Sequence, residues 1–171
     1  LNSVVVSSAN NVTVDGNMTA AGFAQSAGTG TSLFSGTTTL GGAFAFTGNA
    51  LTINGALSST GAMAVANAGT FATGANGDVI AAGGLSQTGA GSSLIAGDIT
   101  TTASNISFAT PVVVTGSVAM GSANGNINFV GLLDGDGSAT PASLTLGSGT
   151  GNVTFSTKVG SLAMLGALDV N

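Results

Sequence analysis

The sequence predicts an all-β protein, a right-handed parallel β-solenoid of about eight coils with roughly 19–26 residues in each coil. Three observations lead to this prediction: short runs of alternating apolar residues, the lack of any helical pattern, and the recurrence of whole motifs along the chain. An antiparallel sandwich or barrel also has short strands at regular spacing. Because the motifs themselves recur, and not only the strands, the solenoid is favoured.

Helical patterns are missing from the whole chain. No segment places apolar residues at i, i+3, i+4 and i+7, and charged residues, which include several good helix formers, make up only 4% of the sequence. Runs of four or five residues rich in Val, Ile, Leu, Phe and Thr alternate instead with Gly, Asn, Ser and Ala. This pattern predicts many short strands joined by tight turns.

One motif occurs three times. Residues 117–129, SVAMGSANGNINF, match residues 143–155, SLTLGSGTGNVTF, position for position at an offset of 26, and residues 3–14, SVVVSSANNVTV, form a copy one residue shorter. In a parallel solenoid each strand pairs with its counterpart one coil away, at a spacing of ~4.8 Å. The offset therefore predicts the length of one coil.

A second motif and a set of glycines support the same period. Residues 22–36, GFAQSAGTGTSLFSG, resemble residues 84–97, GLSQTGAGSSLIAG, in keeping a Gly, a Gln three places later and an apolar pair before the last Gly. Gly36, Gly55 and Gly74 are spaced by 19 residues. Glycine suits corners, where the backbone turns tightly.

The alternation within the repeated strands predicts which side chains point inward. In the four-residue runs NVTV, NISF, NINF and NVTF, the second and fourth residues share one face of the strand. The predicted core ladder is therefore Val12, Val14, Ile106, Phe108, Ile127, Phe129, Val153 and Phe155. The Asn, Ser and Thr residues between them are expected to face outward or to lie at corners.

The composition excludes several functions. The chain has no His and no Cys, so metal sites built on these residues, thiol chemistry and a Ser-His-Asp triad are impossible. A net charge of −5 with a single Lys, Lys158, argues against a nucleic-acid partner, because phosphates must be met by several basic residues. No apolar run approaches the ~18 residues that span a bilayer, so this segment is not expected to enter a membrane. No cofactor is predicted.

Asp134 and Asp136, in the run LDGDGSA, are the only close pair of carboxylates. β-Helices also include polysaccharide lyases and hydrolases, but no Arg or aromatic platform accompanies this pair, so an enzyme is not expected. The same two residues are a weak candidate for calcium. Calcium takes 6 to 8 oxygen ligands, and an ordinary turn explains Asp-Gly-Asp-Gly equally well.

Two further patterns have ordinary structural explanations. Four Asn-x-Ser/Thr sequences occur, and stacked corner asparagines explain three of them without glycans; they begin at Asn11, Asn17, Asn105 and Asn152. Threonine-rich stretches at Thr37–Thr39 and Thr100–Thr102 are similar to ice-binding arrays, but such a surface needs Thr-x-Thr in register on successive coils. Strand threonines are the simpler explanation.

Several of these segments resemble a known class of protein. Residues 143–155, residues 96–108 (AGDITTTASNISF) and residues 165–171 (LGALDVN) resemble the repeat regions of filamentous-haemagglutinin-like and autotransporter-type adhesins of bacteria. The resemblance lies in composition and rhythm and extends along essentially the whole chain. It implies a solenoid fold and an extracellular or cell-surface setting, reached by secretion.

The two ends of the sequence fit one another. The run LGALDVN joins naturally to LNSVVVSSANNVTV and continues the rhythm seen inside the chain. Residues 1–171 are therefore expected to form a single solenoid domain that is one unit of a longer array or a stackable filament subunit. Its partner would be another copy, held by strand addition through Val4, Val5, Val6, Leu168 and Val170.

The predicted function is a structural one, an extracellular or cell-surface fibre that continues end to end through pairing between coils. The alternative is an adhesin segment that binds a ligand of a host or neighbouring cell through its lateral faces. The eight Phe residues mostly fall at inward positions. The outer wall is then expected to consist of Asn, Ser, Thr, Ala and Gly, which favours the fibre.

Overall fold

The computed structural model describes residues 1–171, and it contains 23 strands and no helix. The strands form three parallel sheets, and the chain visits the sheets in the same order in every coil. Eight coils stack in this way, which confirms the predicted all-β parallel solenoid. No helix offers a long apolar segment that could cross a membrane.

Sheet 1 contains eight strands, each paired with its counterpart in the neighbouring coil. They are β1 (Val4–Val6), β4 (Phe23–Gln25), β7 (Phe44–Gly48), β10 (Met63–Asn67), β13 (Leu85–Gln87), β16 (Ile106–Phe108), β19 (Ile127–Phe129) and β22 (Val153–Phe155).

Sheet 2 contains seven strands, because the eighth coil contributes none to it. They are β2 (Val12–Val14), β5 (Thr31–Phe34), β8 (Ala50–Ile53), β11 (Phe71–Thr73), β14 (Ser93–Ile95), β17 (Val112–Val114) and β20 (Leu133–Gly135).

Sheet 3 again contains eight strands. They are β3 (Met18–Ala20), β6 (Thr38–Leu40), β9 (Leu57–Ser59), β12 (Val79–Ala81), β15 (Ile99–Thr100), β18 (Val118–Gly121), β21 (Ser143–Gly147) and β23 (Ala167–Val170).

The register confirms the period that the repeats predicted. Met63 lies over Phe44, 19 residues earlier, which is a short coil. Val153 lies over Ile127, 26 residues earlier, which is the longest step in sheet 1. The two matching motifs at residues 117–129 and 143–155 are therefore neighbours in space.

Gly36 and Gly55 lie at the corner between sheets 2 and 3, which explains their spacing of 19 residues. A Cβ atom at Gly55 would lie 2.5 Å from the carbonyl oxygens of Ser35 and Gly36, and one at Gly36 would lie 2.4 Å from that of Gly16. The backbones of successive coils approach so closely here that no side chain fits between them.

Inward-facing side chains, most of them apolar, fill the interior as columns, where a column is the set of residues at one register position through all strands of a sheet. All eight Phe residues point inward, and only Phe155, in the last coil, is half-buried rather than buried. Phe129 stacks between Phe108 and Phe155, with ring centroids 5.6 Å apart on each side. At both predicted inward positions of β16, β19 and β22 the side chains face the interior.

The third copy of the repeated motif lies elsewhere. Val12 and Val14 belong to β2 in sheet 2, whereas Ile127 and Val153 belong to sheet 1. Val12 and Val14 do point inward, but they do not stack with the other six residues of the predicted ladder. The same strand–turn–strand sequence occurs on different sides of the solenoid, so the sequence match alone does not show which sheets a copy occupies.

The outer wall differs in part from the expectation. It is mostly small and polar, but Ile80, Leu94 and Val130 are also exposed. The two threonine-rich stretches share sheet 3, with two intervening coils between them. Ser58 and Ile80 occupy the intervening outward positions, so the threonines do not form a continuous array.

Candidate end-to-end interface

Every coil is joined to the next by hydrogen bonds at fixed positions of the strand. At the start of a strand the first residue donates to the later coil, as the Ile127 N–H does to the carbonyl of Asn152 at 2.8 Å. At the end, the residue after the strand donates to the earlier coil, as the Ser156 N–H does to the carbonyl of Phe129 at 2.8 Å. This repeated pattern fixes both the register and the direction of stacking.

Asparagine side chains add a second set of bonds between coils. The N–H of Asn126 donates to Oδ1 of Asn105, and the N–H of Asn152 donates to Oδ1 of Asn126, each at 2.8 Å. All three residues directly precede a strand of sheet 1. In each pair the earlier coil supplies the side-chain oxygen and the later coil the backbone N–H.

Other corners use the same arrangement with Asn or Asp. Asn11 accepts from the N–H of Thr31 at 2.9 Å, and Asp98 accepts from that of Ala119 at 2.8 Å. The N–H of Asp98 itself donates to Oδ1 of Asp78 at 2.9 Å. Asparagines were expected at corners, but these bonds were not; an Asn or Asp directly before a strand was the sequence signal for them.

The C-terminal face of the solenoid leaves two strand edges without a partner. Strands β22 and β23 end sheets 1 and 3 and are each paired on one side only. Leu168 and Val170 continue the columns of Leu144 and Leu146. The earlier two are fully buried, whereas Leu168 is 39% and Val170 50% exposed. The apolar columns therefore reach this face uncovered.

At the N-terminal face, β1 is paired only with β4. Val4 and Val6 face inward over Phe23 and Gln25 and are half-buried. Val5 was predicted to join the interface, but its side chain points to the outer wall and is 67% exposed. Val4 and Val6 can thus contribute side chains to this face, while Val5 can contribute only its backbone.

The edge of sheet 2 is covered at the C-terminal face. In place of a strand, residues 156–166 lie along β20, where the Gly135 N–H donates to the carbonyl of Ala163 at 2.9 Å. Val159 forms a single parallel bridge with Leu133. Leu162 and Met164 of this covering segment are 81% and 69% exposed.

The two calcium candidates bind separate backbone groups. Asp134 is buried, and its Oδ1 accepts from the N–H of Leu162 at 3.0 Å, which holds the covering segment in place. Asp136 is exposed and accepts from the N–H of Ser138 at 3.0 Å, a bond that lowers the pKa of this carboxyl. No group of three or more acidic residues, His or Cys is close enough to hold a metal ion.

The largest concavity lies on the lateral face, around sheet 1 in the middle coils. It has a volume of about 480 Å³ and is lined by small neutral residues such as Ala64, Ser86 and Ser107. None of its lining residues is charged or aromatic. The concavity therefore offers hydroxyl, amide and backbone groups but no ionic or stacking contact.

Comparison with protein-family models, curated proteins and solved structures found no match to this chain. The resemblance to adhesin repeat regions stays a prediction.

Proposed function

We propose that this chain is a structural segment of an extracellular or cell-surface fibre, in which coils continue from unit to unit by parallel strand pairing. One observation carries this proposal: the same parallel strand pairing joins each coil to the next through all three sheets, so that further coils can be added without any change of pattern. Unpaired strand edges are templates for strand addition, and apolar side chains gain stability when the added strand covers them.

The length of the connection between units supports the proposal. Inside the chain, the corner from sheet 3 to sheet 1 can be measured from the residue in the Met18 column to the first inward residue of the next strand of sheet 1. In the first coil this step takes five residues, from Met18 to Phe23. In the seventh coil it takes seven, from Leu146 to Val153. From Val170 to Val4 of a following unit it would take five. A continuous chain would thus make an ordinary corner at the junction.

The lateral surface favours a fibre over the alternative of an adhesin segment. A ligand-binding surface normally offers aromatic or charged anchors, and the main concavity has neither. The chain carries only seven charged side chains, of which Lys158 is the sole cation. A neutral wall of small residues suits an inert fibre, which would resist proteases because its backbone is paired in sheets.

The decisive experiment uses the native source. Antibodies against the 171-residue chain would be used to label intact cells and to detect the polypeptide after full denaturation. The proposal expects label on extracellular filaments or the cell surface. A denatured band near 16.0 kDa would indicate stacked subunits, and a much larger band would indicate a covalent array. Label confined to monomeric protein inside cells would refute the proposal.

A further inference from the structure

We propose that two copies of this chain pair side by side through the outer face of sheet 1, with their long axes antiparallel, and that Val130 of each copy sits in a concavity of the other. This pairing goes beyond the proposed function and does not depend on it, because it uses a lateral face built by internal coils. The size of the side chains on this face, the distribution of charge and the position of Val130 support it.

The outer face of sheet 1 carries only small side chains in coils two to five. Its middle column consists of Ala24, Ala45, Ala64 and Ser86, and the flanking outward positions are Gly, Ala, Ser or Thr. Because no long side chain rises from this face, a second sheet can approach its backbone closely. In cross-β assemblies, facing sheets of stacked strands pair in this way, with side chains that interdigitate and exclude water.

The face is large enough for a specific contact. Sheet 1 has eight strands, and in β10 the outward positions extend from Ala62 to Ala66. The usual strand spacing and rise per residue give a face of about 34 Å by about 16 Å, on the order of 500 Å² per copy. Two copies would bury about 1,000 Å² in total, the lower limit for specific protein interfaces. The expected dimer is therefore weak and reversible.

Charge is concentrated on the opposite side of the molecule. The six carboxylates lie on sheets 2 and 3 or at the corner between them: Asp15, Asp78, Asp98, Asp134, Asp136 and Asp169. In a solenoid with three sides, this corner is the one opposite sheet 1. Pairing through sheet 1 therefore buries no charged side chain and keeps the like charges of the two copies far apart, whereas pairing through sheet 2 or sheet 3 would bring carboxylates together.

Val130 gives this face a knob and its own column supplies the recess. Val130 directly follows β19 and is 48% exposed, the only exposed large aliphatic side chain on the outward columns of sheet 1 in coils two to seven. Its column contains Ser26 and Thr47 in coils two and three, where short side chains line a concavity of about 380 Å³. A valine in an apolar recess gains stability by leaving water.

The position of Val130 selects the antiparallel orientation. With a two-fold axis along the strands, each outward column lies opposite itself, and coil seven of one copy faces coil two of the other when Val130 lies over Ser26. Asn128 then lies over Ala24, so the longer side chain meets the shorter one. The contact forms twice, because a two-fold interface is isologous. In the parallel orientation coil seven faces coil seven, and Val130 would meet Asn126 instead.

Substitution of Val130 tests the contact. Val130→Asp should weaken dimerisation roughly tenfold or more, because the carboxylate would be buried without a partner. Ile80→Asp is the matched control: Ile80 is 52% exposed but lies on sheet 3, so this variant should dimerise like the parent. Sedimentation equilibrium of the purified chain would measure association, with a limiting mass of twice 16.0 kDa. Circular dichroism would verify that both variants are folded.

Cross-linking tests the orientation, since the chain has no native cysteine. Ala24→Cys and Asn128→Cys would be made as separate single variants and treated with a short bismaleimide. A mixture of the two should give a covalent dimer, whereas each variant alone should give far less, because its cysteines lie about five coil spacings apart in the antiparallel pair. Parallel pairing would give the reverse result.

The outcomes decide the proposal. A dimer that is lost in Val130→Asp, kept in Ile80→Asp and cross-linked mainly in the mixture supports the pairing. A dimer that survives Val130→Asp, that Ile80→Asp weakens equally, or that cross-links within each single variant overturns it, and so does a chain that stays monomeric at high concentration. The fibre is tested separately, by the labelling of native cells.

Discussion

Two regions of the interior are filled in different ways. In coils six to eight, Phe108, Phe129 and Phe155 stack face to face with interplanar angles of 8° and 10°. In coils four and five, the same column passes from Val65 to Gln87, a buried amide directly before Phe108. The column in coils six to eight repeats an aromatic residue, whereas in coils four and five the interior is held by hydrogen bonds between polar side chains.

The amide region is a connected network. The Gln87 Nε2 donates to Oδ1 of Asn67 at 2.7 Å, and the hydroxyl of Thr110 donates to Oε1 of Gln87 at 3.0 Å. The Nδ2 of Asn67 donates in turn to the carbonyls of Gly69 and Ser92, at 2.8 and 3.2 Å. The Asn67 amide thus satisfies the corner carbonyl of Gly69 and gives the Ser92 carbonyl a second donor beside the Phe71 N–H. A solenoid column therefore tolerates a polar residue where the adjacent corner supplies its hydrogen-bond partners.

The largest effect should come from breaking the aromatic stack. Phe129→Ala removes a ring that is 1% exposed and has partners on both sides, so the free energy of unfolding should fall by about 3–5 kcal/mol. Phe155→Ala is the matched control at the half-buried end of the stack and should cost clearly less. Urea unfolding would measure both, and equal losses would show that the stack does not act as a column.

Breaking the amide network should have a smaller effect. Gln87→Leu leaves Oδ1 of Asn67 without its donor, at a cost of about 2 kcal/mol. The double variant Asn67→Leu, Gln87→Leu should cost less than the sum of the two single variants, because the unpaired partner is also removed. Strict additivity in urea unfolding would argue against a coupled network.

The close approach of the coils at their corners gives the third prediction. Gly55→Ala places a Cβ 2.5 Å from backbone oxygens of the preceding coil, and the resulting shift should cost about 1–3 kcal/mol. At Gly121 no atom lies within 4 Å of such a Cβ, so Gly121→Ala should be nearly neutral. Thermal unfolding of the two variants would test this. Equal losses of stability would show that replacing glycine is costly in itself, and not because the backbones of successive coils lie close together at the corner.

Removing one corner bond should cost less again. Asn105→Ala deletes the acceptor for the N–H of Asn126 in the exposed corner of sheet 1, a loss of about 1 kcal/mol. Asn105→Asp keeps an acceptor and should retain most of the stability. If both variants unfold at the same urea concentration as the parent, the corner asparagines do not stabilise coil stacking.

The smallest effect should be that of pH. The Ser138 N–H lowers the pKa of Asp136, so this group stabilises the fold above its unfolded pKa and loses that contribution as the pH falls through its folded pKa. Because Asp136 is fully exposed, the effect should be slight. Asp136→Asn should flatten the melting temperature between neutral and acidic pH. A steeper dependence in the variant would contradict this assignment.

The end faces show how far sequence reasoning reached for the candidate site. It predicted an interface that includes Val4, Val6, Leu168 and Val170, and in the structure these four residues lie on inward columns in the first and last strands of their sheets. It did not identify the orientation of Val5 or the cover over β20. Both depend on where the first and last strands fall in their sheets, which a match between motifs does not specify.

The sequence by itself determined the fold class, the length of a coil and the inward face of most strands. These properties are local or periodic, since a two-residue alternation sets the face and recurring glycines set the corner. The composition likewise excluded His and Cys chemistry without any structure.

Only the tertiary structure decided which sheet each motif occupies, which amides meet in the interior and which strand edges stay open. All three sheets accept the same alternating strands, so a copy such as residues 3–14 can lie on a different side from its matches. Gln87 meets Asn67, 20 positions earlier in the sequence, because one coil of the solenoid separates the two residues. Which residues meet between coils depends on the combined length of all the strands and corners in one coil. No single motif determines that length.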